Sequence, residues 1–193
     1  MPMLRRGLPL GWLLVAAALA PVHGTLAAAD PLPEARAAYH AAQGDPGRLQ
    51  AALALASDAV RQAPGDAEAR LLRADIRTAL HDYPQALADY QQVADADLPA
   101  SRKMMQCLLR ERVQPVPPPL DCYADAGRRY AAGGARPAGD PNYVMAQLLA
   151  DTPEAGRLAD ALLEATPPGP EREIREMLFK DFDRARYLRS VLP

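Results

Sequence analysis

Three serines, two of the three histidines, a pair of glutamates and two cysteines are the residues of this chain whose types could do chemistry. Ser57, Ser101 and Ser190 would have to act as nucleophiles beside a base, and none sits in the G-x-S-x-G turn that presents such a hydroxyl. His40 and His81 could serve as that base, yet they fall in separate helical segments. His81 precedes Asp82 in a turn and is expected to be exposed, whereas His40 is expected to face the interior of a helix pair. Glu173 and Glu176, in "EREIRE", are three residues apart and share one helical turn. A carboxylate pair of that kind can work as acid and base, but the neighbouring arginines make an exposed ion-pair face the better account. "AAGGARPAGD" (residues 131–140) lacks the lysine and hydroxyl residue of a phosphate-binding loop, and no strand precedes it. It reads as a surface connection. The expectation is a protein without catalytic residues, cofactor or metal.

Cys107 and Cys122 are the only cysteines, with fourteen residues between them. They form no C-x-x-C motif, and neither histidine stands at zinc-finger spacing to them. A Cys107–Cys122 disulfide is the expected pairing, and it implies an oxidising compartment. The N-terminus supplies the route there. "MPMLRRGLPLGWLLVAAALAPVHGTLAAAD" has Arg5 and Arg6, then an apolar run from Leu8 to Ala20, then small residues. Ala27 and Ala29 form an A-x-A pattern, so residues 1–29 read as a signal peptide cleaved after Ala29, with Val22 and Gly24 as an earlier alternative. The apolar run is shorter than the roughly 20 residues of a spanning helix. No stable membrane insertion is expected after cleavage, and no cysteine near the site offers a lipid anchor.

Loss of Arg5 and Arg6 leaves 20 basic residues against 24 acidic ones, a formal charge of −4. That balance argues against nucleic acid as a partner, since a basic footprint would be needed.

The elements that would position these residues are helices. "RLQAALALASDAVRQAP" (48–64) and "DYPQALADYQQVADADLP" (82–99) align at one constant offset. Leu49 matches Tyr83, Ala52 matches Ala86, Leu53 matches Leu87, Ala56 matches Tyr90, and Ala59 matches Val93. Each block follows another helical segment, "PEARAAYHAAQG" and "DAEARLLRADIRTAL". Small residues such as Ala52 and Ala86 let helices approach closely, and Leu53, Leu87 and Tyr90 fill the groove between them.

Over residues 33–99 this pattern resembles the tetratricopeptide repeat family, whose unit is about 34 residues and two helices. Ala74, Tyr83, Ala86 and Tyr90 match that family's pattern in the second unit, as do Ala52, Ala59 and Pro64 in the first. Arg36 and Arg70 depart from it where an aromatic is usual, Tyr39 and Arg73 where a leucine is, and His40 where a small residue is. The resemblance implies an all-α fold of stacked antiparallel helix pairs. It places Glu34, Ala37, Ala41, Glu68, Leu71, Asp75 and Thr78 on a small, mildly acidic groove for a protein or peptide partner, a basic one by charge. Two such units need a cap, which residues 100–193 are expected to supply.

That second region reads as short helices around a staple. "SRKMMQCLLRERV" opens with Ser101 as cap and turns Met104, Cys107, Leu108 and Leu109 to one side. Prolines from Pro115 to Pro119 stop it. "LDCYADAGRRYAAGG" restarts with Asp121 as cap. "DPNYVMAQLLA" and "DTPEAGRLADALLEA" begin at Asp140–Pro141 and Thr152–Pro153. "GPEREIREMLFKDFDRARYLRSVLP" reads as one final helix with Ile174, Leu178, Phe182, Ala185 and Leu188 on a buried face. The whole reads as residues 1–29 signal peptide, 30–99 repeats, and 100–193 a disulfide-stapled helical cap. The expected function is that of a periplasmic or secreted protein-binding adaptor, with an immunity protein against a periplasm-acting toxin as the alternative.

Overall fold

Aspartate side chains start five of the helices in the computed structural model, which describes residues 30–193. The expected signal peptide and its cleavage site lie outside the described residues. Asp30 accepts from the Leu32 amide and opens α1 (Pro31–Ala42). Asp45 accepts from Arg48 N–H at 2.8 Å and opens α2 (Pro46–Gln62). Asp66 caps α3 (Ala67–Ala79), and Asp82 precedes α4 (Tyr83–Gln91). Then come α5 (Ala100–Val113), α6 (Leu120–Ala132), α7 (Pro141–Leu149), α8 (Ala155–Ala165), α9 (Pro170–Phe179) and α10 (Arg184–Val191). Asp140 caps α7 and Asp183 caps α10. Each cap satisfies amide N–H groups that have no partner inside the helix. The fold is all-α, and the described residues contain no strand.

Each helix from α1 to α8 packs on its successor. The positions that match between the two sequence blocks are the ones that go inside. Leu49, Ala52, Ala56 and Ala59 are buried on α2, as are Tyr83, Ala86, Leu87 and Tyr90 on α4, with Val93 just beyond it. Leu53 is partly buried. One core joins α1, α2 and α3 through Ala35, Leu49, Ala52, Ala56, Leu72 and Ile76. A larger one starts at Leu71, Tyr83, Leu87 and Tyr90 and runs on through Leu109, Tyr123, Leu149 and Leu162 to Leu192. The cap expected of residues 100–193 is thus continuous with the core of α3 and α4. Cys107 of α5 and Cys122 of α6 form the expected disulfide, with Cα atoms 5.7 Å apart.

Helix boundaries in the second region differ from expectation. Pro99 occupies the cap position of α5, so Ser101 is already helical. Pro119 does the same for α6 and puts Asp121 inside its first turn. After Thr152 and Pro153 the chain makes a turn, in which the Ala155 amide donates to Thr152 O at 3.1 Å, and α8 starts only at Ala155. The expected final helix is two helices. Asp181 adopts a left-handed conformation (φ 51°), and the Asp183 carboxylate accepts from Arg186 N–H at 2.5 Å to begin α10. The expected buried face breaks with it: Ile174 is 58% exposed and Ala185 is exposed. His40 is exposed on α1 rather than turned inward.

Arginines reach main-chain carbonyls at a helix end and in the connections between helices. Arg129 donates to Asp95 O (2.8 Å) and Leu98 O (2.7 Å), Arg112 to Leu192 O (3.0 Å), Arg70 to Pro64 O (3.1 Å), and Arg184 to Leu149 O. The guanidinium fork can serve two acceptors at once. Lys103 and Lys180 are the only lysines among 22 basic residues, so nearly every cation here has that reach.

Candidate functional site

The seven residues expected to line a groove do not stay together. Glu34, Ala37 and Ala41 are exposed on α1. Glu68 is exposed on α3, 3.3 Å from the Arg36 guanidinium. Leu71 corrects the expectation: it is 3% exposed and belongs to the core, because its side of α3 faces α4 and the larger cluster. Asp75 and Thr78 do meet, in a cavity of about 280 Å³. Their companions there are Tyr39 of α1, His81 of the following turn, Tyr83 of α4, Met105 of α5, and Val191 and Pro193 of the last segment.

The acid in this cavity is already answered. Arg102 of α5 donates to Asp75, and the buried Tyr90 hydroxyl donates to the same oxygen at 3.4 Å. Burial first, and then the Asp75 charge, push the Tyr90 phenol above its usual range, so it stays a neutral donor. Thr78 Oγ1 donates back to Ala74 O at 2.8 Å. Asp75 is thus matched by Arg102 and Glu68 by Arg36, which leaves Glu34, exposed on α1, as the acidic residue of the expected groove without an ion pair among the described residues.

Val191 and Pro193 form part of the cavity wall, and polar groups hold the backbone there. The Tyr83 hydroxyl donates to Pro193 O at 2.6 Å, while Arg112 Nε donates to Leu192 O and the Arg112 guanidinium lies 5.1 Å over the Tyr83 ring. His81 Nδ1 stands 2.7 Å from the Tyr83 hydroxyl; since that hydroxyl donates to Pro193, the imidazole N–H donates to it. Leu192 is 1% exposed and anchors the segment. The sequence pattern does not reveal the site roles of Tyr39, His81, Tyr83, Met105 and the last residues. By spacing Tyr83 is only a packing position, and nothing in "SVLP" marks it as a segment that walls a cavity.

The candidate chemical groups lie apart. Ser57 Oγ donates to Leu53 O and Ser190 Oγ to Tyr187 O, each at 2.7 Å, which is the local back-bonding of helix serines. Glu176 pairs with Arg172 at 2.9 Å and Glu171 with Arg175 at 2.6 Å, whereas Glu173 is exposed and forms no ion pair among the described residues, so the ion-pair account holds for Glu176 and not for Glu173. Among the described residues no three His, Cys, Asp or Glu side chains converge as metal ligands, and no helix is long and apolar enough to cross a membrane. No family model, curated protein or solved structure matches the chain.

Proposed function

We propose that this chain is an exported, tetratricopeptide-like module that holds a protein or peptide partner in the envelope as an adaptor. The observation that carries the reading is the cavity between α1, α3 and α5. Its lining joins an apolar wall (Tyr39, Met105) to the Tyr83 hydroxyl, which donates to a main-chain oxygen at Pro193. Main-chain hydrogen bonding beside small apolar pockets is a general way to recognise peptides. The Cys107–Cys122 disulfide supports an oxidising compartment such as the periplasm.

Site-specific photo-crosslinking in the native periplasm tests this. A crosslinker replacing Thr78 in the cavity is expected to capture a discrete partner, whereas one replacing the exposed Ala88 on α4 is not. Adducts from position 88 alone would overturn the groove as the binding surface.

The immunity-protein reading has one observation in its favour. Ile174 and Met177 of α9 are 58% and 76% exposed, far from the α1–α3–α5 cavity in the chain, and an inhibitor needs an apolar anchor for its enzyme. An inhibitor would hold one degradative enzyme at nanomolar affinity, about −12 kcal/mol, through high salt. Crosslinks from position 177 to a single such enzyme would favour it over the adaptor.

A further inference from the structure

A second cavity, of about 620 Å³, lies between α4, α5 and α6. Its volume falls in the range of small-ligand sites, roughly 300–1,000 Å³. Leu87, Val93 and the disulfide cysteine Cys122 contribute its apolar lining, and all three are buried. Charged groups fill one end and satisfy one another. Lys103 bonds Asp95 at 2.5 Å and lies 3.7 Å from Asp125, which also accepts from Arg128 and Arg129 at 2.9 Å.

Two residues of the same cavity behave differently. Arg110 and Asp121 are exposed, and among the described residues neither forms an ion pair, either with the other or with a neighbour. They stand on the two helices at the connected end of the α5–α6 hairpin, Arg110 in the last turn of α5 and Asp121 in the first turn of α6. The helix dipoles favour a cation at the first place and an anion at the second. Both positions are fixed by the disulfide. Arg110 lies three residues past Cys107, and Asp121 adjoins Cys122. The result is a cavity whose lining carries an unpaired guanidinium, an unpaired carboxylate and the amide of Gln91, while the Gln106 amide is engaged by Lys103 and by Tyr90 O.

We propose that this cavity binds a short unblocked peptide as a zwitterion, its carboxylate on Arg110 and its ammonium on Asp121. A guanidinium fork meets a carboxylate through two parallel hydrogen bonds. An ammonium brings up to three donors to a carboxylate, and the Gln91 amide in the same lining offers a partner to a peptide unit. Because the hairpin is stapled, little conformational entropy is lost when the ligand seats. The lining of this site shares no residue with that of the first cavity, and the proposal stands independently of that reading.

The test is calorimetric titration of the oxidised mature chain with alanine, dialanine, trialanine and tetraalanine, and with N-acetylated and C-amidated forms of the best binder. At least one unblocked peptide is expected to bind saturably at millimolar concentration or below. The chain length that binds best reads the gap between the two charges, and free alanine as best binder would identify an amino-acid site of the same chemistry. Each block is expected to weaken binding at least tenfold. Arg110→Gln should abolish the discrimination against the amidated peptide alone, and Asp121→Asn that against the acetylated peptide alone. Both residues are exposed, so thermal unfolding of either variant should match wild type and show that the fold is intact. No saturable binding by any unblocked ligand would overturn the proposal. So would equal affinity for blocked and unblocked forms, or variants that keep both discriminations.

Discussion

The first four helices and the last six bury alike and fasten differently. In α1–α4, alanines at the crossings (Ala35, Ala52, Ala56, Ala74, Ala86) bring backbones close, and the one buried carboxylate, Asp89, is clamped by neighbours on the adjacent helix. Arg73 and Arg77 both donate to it, Arg73 Nε at 2.9 Å and Arg77 Nη1 at 2.6 Å. In α5–α10 the fastenings reach across the chain. Glu111 of α5 accepts from Tyr123 of α6 at 2.6 Å and from Arg184 of α10 at 3.2 Å, and Arg112 holds the backbone at Leu192. A periodic apolar pattern lets adjacent helices recognise each other locally. Short helices broken by proline carry too little of that pattern and are tied by a disulfide and by arginines from distant positions.

The sharpest way to break this contrast is to remove each buried carboxylate. Asp89→Ala leaves Arg73 and Arg77 facing one another with side chains only 16% and 18% exposed. A loss of about 3–5 kcal/mol is expected, as for a buried pair stripped of one partner. Glu111→Ala should cost less, about 1–3 kcal/mol, because Arg184 keeps its bond to Leu149 O and is 24% exposed. Urea unfolding measures both. A larger loss from Glu111→Ala would mean that the distant fastening outweighs the local one.

The disulfide comes next. Cys107→Ala with Cys122→Ala opens a loop of 15 residues' separation and is expected to cost about 3 kcal/mol in the chain-entropy estimate. Hydrogen exchange locates the effect: α5 and α6 should lose protection while the Ala52 and Ala56 region of α2 keeps it. Equal loss in α2 would show that the two regions unfold as one unit, as the core continuing from Tyr90 to Leu149 allows.

A smaller effect sharpens the alanine side of the comparison. Ala86 is fully buried where α4 crosses its neighbours, and Ala88, two residues on, is exposed. Ala86→Leu is expected to cost about 1–3 kcal/mol by overpacking, and Ala88→Leu close to nothing. Thermal unfolding of the pair checks the register of the repeated pattern directly.

What could be read in advance follows the same division. Leu49, Ala52, Ala56, Tyr83, Ala86 and Tyr90 could be found by spacing alone, since burial on a helix has a period. The Cys107–Cys122 bond could be found by elimination. The break at Asp181 was legible in part: Asp183 is a cap residue three positions ahead of Arg186, but Leu178, Phe182 and Leu188 continue a helical spacing across it. The apolar pattern there does not outweigh a carboxylate that offers an amide its partner. The cavity was the least legible. Asp75 and Thr78 could be placed on a common surface only through the tetratricopeptide resemblance, and Leu71 was misplaced with them because its side of α3 borders a core supplied by later helices. Val191 and Pro193 reach the cavity through contacts separated by some 110 residues, such as Tyr83 with Pro193, and no local pattern encodes those.

Each region also buries one tyrosine against a carboxylate, Tyr90 against Asp75 and Tyr123 against Glu111. Burial first, then the hydrogen bond to Glu111, push the Tyr123 phenol far above its ordinary value. An unfolded tyrosine ionises near pH 10. A group whose folded pKa is raised contributes stability that is complete below its unfolded pKa and is lost as pH rises beyond it. The protein is therefore expected to weaken above about pH 10 as the unfolded chain releases protons that the native phenols retain. Tyr123→Phe removes one of those protons and the bond to Glu111, at a cost of about 1 kcal/mol at neutral pH, since Arg184 still serves the carboxylate. Its stability should then fall less steeply than wild type between about pH 10 and 11. Tyr90→Phe should show the same shallower fall, because its phenol is raised by burial and by Asp75 in the same sense. An unchanged slope in Tyr123→Phe, with a shallower one in Tyr90→Phe, would mean that the Glu111 site opens to water before the rest of the fold, and would place the weaker fastening in the second region.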